Sequence, residues 1–97
     1  MLEINTPYKN GDTVSFKLTS GEEIIGRLVE EQDTVYIIKK PMALVAGEKG
    51  IGLAPFMFST EEGGDLRLQS HAVSCVAKTQ KELSTQYVAK TTGIAIN

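Results

Sequence analysis

The sequence predicts an all-β domain with a short C-terminal helix: a small, strongly bent, five-stranded antiparallel barrel with an extended hairpin at 41–60. Three observations predict it. The stretch 14–40, VSFKLTSGEEIIGRLVEEQDTVYIIKK, holds three consecutive strand signals separated by two turn signals. The middle strand is the longest and has Gly26 inside it, which marks a sharp bend or a close backbone approach. Three short antiparallel strands with the longest one bent are how a small barrel curls. Only near the C-terminus does the apolar period change from that of a strand to that of a helix.

Residues 1–13 are short and turn-rich, with Pro7, Asn10-Gly11 and Asp12 and no helical period. Val14, Phe16 and Leu18 then alternate with Ser15, Lys17 and Thr19, as in a half-buried strand. Ser20-Gly21 turns the chain into 22–30, which holds the β-branched pair Ile24 and Ile25. Gln32-Asp33 is the next turn, and 35–38 is the third strand. Pro41 lacks a ladder donor, so the apolar run 42–45 belongs to an edge or begins after a bulge. Residues 47–50 (GEKG) form a hairpin tip, and 51–58 return as a strand at the sheet's margin. After the turn at 61–64, Leu66 and Leu68 alternate with Arg67 and Gln69. Ser70-His71 interrupts, and 72–77 gives the last strand. Thr79 with Glu82 reads as a capping box, Gly93 as the C-cap, and Leu83 and Tyr87 share a face, so a helix is expected over 80–91. It would dock on the barrel or on a neighbouring subunit, with the apolar tail 94–96 covered.

The chain of 97 residues has room for one domain, 1–97, with the barrel over about 12–77. Its 41% hydrophobic and 23% charged composition is that of a globular chain. No apolar run reaches transmembrane length and the opening Met1-Leu2-Glu3 lacks the pattern of a signal peptide, so a cytoplasmic protein without membrane partners is expected. Cys75 is the single cysteine, which excludes an intrachain disulfide and a cysteine-pair metal site. Its place in an alternating apolar run predicts a buried, inert thiol. With one histidine and no metal-ligand spacing, no nucleophile–base pair can be assembled. Neither catalysis nor a cofactor is expected. A net charge of −2 argues against a protein that coats nucleic acid by charge alone, yet leaves room for a local site built on stacking and polar edges.

Two segments together resemble a known family. The run V-x-F-x-L-x-x-G-x-x-x-I-G-x-L over 14–28 is similar to the first motif of the Sm and Sm-like RNA-binding proteins, in the spacing of Leu18, Gly21 and Gly26. Residues 69–76 (QSHAVSCV) resemble the second motif as written in the bacterial host-factor RNA chaperone, where histidine is followed by alanine, a branched aliphatic and serine. The sequence also departs from that pattern. One extra residue separates Gly26 from Asp33, no asparagine follows Asp33, and Gln69-Ser70 stands where the family has arginine-glycine or tyrosine-lysine. The family's N-terminal helix is missing and the 41–60 hairpin is longer than usual. Small Sm-like proteins of tailed-phage type fit this build.

The resemblance implies an Sm-like (SH3-like) barrel whose edge strands pair with those of neighbouring copies, closing a ring around a pore. It implies single-stranded RNA, and secondarily DNA, as partner, held by Asp33, Tyr36, Arg67, Gln69, Ser70 and His71. Each residue also has a plainer role open to it. Asp33 fits an Asx turn, Tyr36 fits the core, Arg67 and Gln69 fit a solvated face, and His71 fits a strand cap. Lys39 and Lys40 read as solvated charge. A second expectation keeps the oligomer and drops the nucleic acid: a structural or assembly module of phage type that binds protein through the 41–60 hairpin, including the stripe Phe56, Met57 and Phe58.

Overall fold

A computed structural model of the chain describes residues 7–61 and 63–92. The proposed C-cap Gly93 and the tail 94–96 lie outside the described residues, as do residues 1–6 and position 62 of the acidic turn. Six antiparallel strands form one sheet: β1 (Thr13–Leu18), β2 (Glu23–Glu31), β3 (Val35–Gly47), β4 (Gly50–Pro55), β5 (Asp65–Gln69) and β6 (Val73–Lys78). A helix, α1 (Lys81–Thr92), follows. The order is β4-β3-β2-β1-β6, with β5 also on β3, and the sheet is not closed. No helix among the described residues is long and apolar enough to cross a membrane.

The sequence predicts five barrel strands and a separate hairpin at 41–60; the six strands arise because 35–38 and the first arm of that hairpin are one continuous strand, β3. Its first half pairs with β5 and its second half with β4, while β2 runs along its other side. Pro41 therefore does not end the third strand. The register steps from Arg27↔Lys39 to Ile25↔Met42, so β3 has one residue too many opposite Gly26. This is a β-bulge, the place where a strand tolerates a residue without an N–H. Lys40 takes φ 50 there. Gly26 is a close approach, as its position in the strand predicts: a Cβ on it would lie 3.2 Å from Ile38 Cδ1 and 3.3 Å from the Lys39 carbonyl. A second bulge, between Leu28 and Glu30, takes up one residue of β2.

Alternation along the strands makes two clusters on opposite faces. Val14, Phe16, Leu18, Ile24, Leu28, Ile38 and Leu68 fill the first. Ile25, Met42, Leu53 and Tyr87 form the second, beneath α1. Adjacent Ile24 and Ile25 are both fully buried because β2 is covered on both sides. Burying such side chains contributes about 1.5–3 kcal/mol each.

The helix starts and docks differently from the capping-box reading. The Thr79 hydroxyl pairs with that of Ser15 at 2.7 Å, and the first helical carbonyl to accept a bond is that of Gln80, from the Ser84 N–H. Of the two docking sites open to it, α1 takes its own sheet. Tyr87 is the anchor. Its hydroxyl accepts the Arg27 N–H at 3.1 Å and lies 2.9 and 2.8 Å from the carbonyls of Lys39 and Lys40. The helix thus closes the gap that the bulge at Lys40-Pro41 opens in the ladder. At its other end Lys40 Nζ donates to the Thr91 carbonyl, one of the acceptors a helix C-terminus leaves over.

Candidate functional site

The turn between β2 and β3 and the turn between β5 and β6 lie side by side. Gln32 and Val35 exchange backbone bonds of 2.8 and 3.4 Å, which puts Asp33 and Thr34 at the hairpin tip, both exposed. Val35 pairs with Gln69 as β5 runs back along β3. Beyond that pair the Ser70 N–H donates to the Thr34 carbonyl at 2.9 Å. The 3-10 turn Ser70–Ala72 is pinned at its far end too, where the Thr19 N–H donates to the Ala72 carbonyl at 2.8 Å. Exposed His71 therefore sits at the crown of a turn held at both ends.

The structure brings Asp33, Gln69, Ser70 and His71 together and places Tyr36 and Arg67 further along β3 and β5. Partners across antiparallel strands share a face. Tyr36 is opposite Leu68 on the core side, whereas Arg67 and Gln69, opposite Ile37 and Val35, share the other side. The Tyr36 ring packs edge-to-face on Phe16, with centroids 5.1 Å apart. The Tyr36 side chain is half-buried against the core. Thr34 is the residue that sequence reasoning missed. Its contribution is a backbone carbonyl, which no side-chain motif records.

Acidic groups flank the site. Glu30 accepts from Gln32 Nε2 at 2.7 Å, and Glu31 accepts the Tyr8 hydroxyl at 2.8 Å. Burial, then the bond to Glu31, holds the Tyr8 hydroxyl far above the ordinary tyrosine range. Burial, then the charge of Glu31, raises Tyr36. Lys39 is not free charge: it pairs with Asp65 at 2.7 Å, both groups being well exposed, a pairing worth little in stability.

Two further expectations are settled by position. Cys75 is exposed rather than buried, because β6 is an edge strand that turns Val73 and Val76 inward and leaves its other side chains to solvent. In the stripe 56–58, Phe56 packs on the core while Met57 and Phe58 are exposed, Phe58 at 87%. Among the described residues no group of three histidine, cysteine, aspartate or glutamate side chains is placed to hold a metal ion. Compared with known proteins, the chain matches no family model and none of the curated proteins.

Proposed function

We propose that this chain is a ring-forming Sm-like protein that binds single-stranded RNA, and secondarily single-stranded DNA, as a chaperone or a processing accessory. One observation carries the reading. Asp33 and His71, which come from two motifs far apart in the chain, belong to turns joined by the bond from the Ser70 N–H to the Thr34 carbonyl. In this reading Gln69 bonds a base edge, His71 stacks on a base or donates to a phosphate, and Ser70 adds a hydroxyl. Asp33 orients its loop, and Arg67 meets the backbone at the rim. The outer edges of β5 and β6 are unpaired in the sheet order, which is what edge-to-edge assembly of copies requires. A ring repeats the weak site around a pore and so raises its avidity. An open sheet with this strand order supports an Sm-like barrel without requiring one.

The test is a titration of fluorescent oligo-U and oligo-A over a salt series, with native mass spectrometry for the ring. Salt-sensitive binding that His71→Ala weakens supports the reading. No binding at micromolar protein removes it and favours the assembly module. That second reading rests on the hairpin, where Val45 is 47% and Ile51 60% exposed.

A further inference from the structure

We propose that the outer edge of β4, with the cleft beside it, binds an extended peptide segment carrying a carboxylate, taken up by strand addition. This inference deepens the protein-binding reading of the hairpin and does not depend on the nucleic-acid one.

The backbone sets the edge. In an antiparallel strand the N–H and C=O of one residue point to the same side and those of the next to the other. Just past β4, the Phe56 N–H donates to the Pro41 carbonyl of β3 at 3.2 Å. Even-numbered residues of β4 therefore turn to β3, and Ile51, Leu53 and Pro55 turn outward. Lys90 Nζ confirms the direction by reaching the Leu53 carbonyl at 2.9 Å. Charged side chains on an edge restrict which strand can pair with it. β5 carries Asp65 and Arg67 and β6 carries Lys78, but β4 (GIGLAP) has no charged residue. Its outward N–H groups at Ile51 and Leu53 are those that an added strand would meet. Ile51 shares the face of Leu53 and stands 60% exposed, so an alternating side chain on that strand would cover it.

The ligand's charge follows from the cleft. A hollow of about 480 Å³ adjoins the edge, with Pro41, Met42, Pro55 and Met57 as its apolar wall and Lys40 and Lys90 at its polar side. Glu61 is the one carboxylate among the described lining residues. Neither lysine is in an ion pair among the described residues, since the two ion pairs found there are Lys39–Asp65 and Lys78–Asp12. Each gives one bond to a backbone carbonyl, Lys40 to Thr91 and Lys90 to Leu53. An ammonium has three donors, so both retain capacity for an acceptor. A carboxylate arriving along β4 gains two cations that no described carboxylate pairs with, and a neighbouring apolar side chain gains the methionine and proline wall.

The carboxylate can belong to a chain terminus or to an acidic side chain, and the experiment separates them. Labelled hexapeptides of alternating valine and threonine are titrated by fluorescence anisotropy. One has a free C-terminal carboxylate, one an internal aspartate with an amidated end, and one an amidated end with no acid. A fourth repeats the tighter acid with alternate amides N-methylated. One of the two acidic peptides is expected to bind at least about tenfold tighter than the acid-free one. N-methylation is expected to abolish that binding, and Lys90→Gln to remove the advantage of the acid. His71→Ala is expected to leave peptide binding unchanged, so a failed nucleic-acid titration does not bear on this site. The proposal is overturned if no acidic peptide binds below about 1 mM. It is equally overturned if the acid-free peptide binds as well, or if N-methylation or Lys90→Gln changes nothing. A peptide copying residues 50–55 that binds tightest would assign the edge to a second copy of the chain and overturn it too.

Discussion

Replacing Tyr87 by phenylalanine keeps the ring and deletes one oxygen, so it isolates what the hydroxyl does at the bulge. The oxygen takes the Arg27 N–H at 3.1 Å and its proton goes to the carbonyl of Lys39 or Lys40, at 2.9 and 2.8 Å. Tyr87 is 2% exposed, so water cannot easily replace these bonds. Leaving a buried backbone group unpaired costs about 1–3 kcal/mol. The ring's own burial against Ile25, Met42 and Leu53 is retained, so the loss falls in that range and not in the about 3–5 kcal/mol of a large-to-alanine change. For a domain of this length 1 kcal/mol moves Tm by about 4–8 °C, so a fall near about 10 °C is expected. Urea denaturation followed by circular dichroism, at one protein concentration, measures it as a lower midpoint with an unchanged slope. A Tyr87→Phe protein as stable as the parent would refute the claim that the hydroxyl closes the ladder.

Burial also raises the Tyr87 pKa, with the Arg27 backbone bond and charge opposing it more weakly. Above pH about 10 the unfolded chain releases this proton while the folded chain keeps it. The unfolded state then binds fewer protons and stability falls as pH rises; below that pH the contribution is complete. Denaturation midpoints measured from neutral pH into this alkaline range should decline, and less steeply in Tyr87→Phe. Gly26→Ala pushes a Cβ to 3.3 Å from the Lys39 carbonyl and should cost about 1–3 kcal/mol, read from the same urea curves. Cys75→Ser should leave stability within about 0.5 kcal/mol, because the thiol is exposed, and the native parent should react with a thiol reagent without denaturant.

The candidate site was legible in part. Asp33, Gln69, Ser70 and His71 stood out by motif, and the structure sets them in two touching turns. Tyr36 was ambiguous because an aromatic ring in an apolar strand carries no local mark of which face it takes. Phe16, twenty residues earlier, decides it. The carbonyl of Thr34 was invisible, since backbone groups have no residue signature. The cleft beside β4 was equally hidden. Its edge is defined by which way odd-numbered carbonyls of β4 point, and its charge by lysines on β3 and α1.

Local chemistry alone determined the strand and turn signals, the place of a glycine inside β2 and the change of period near residue 80, since each depends on a residue and its near neighbours. Tertiary structure alone decided that β3 runs through Pro41, that α1 rests on its own sheet, and that Cys75 faces solvent. These are outcomes of long-range pairing. A bulge places Pro41 where no ladder donor is needed, and a tyrosine hydroxyl from 47 residues away satisfies what the bulge leaves open. An edge position, which depends on having no neighbour, cannot be read from the strand that occupies it.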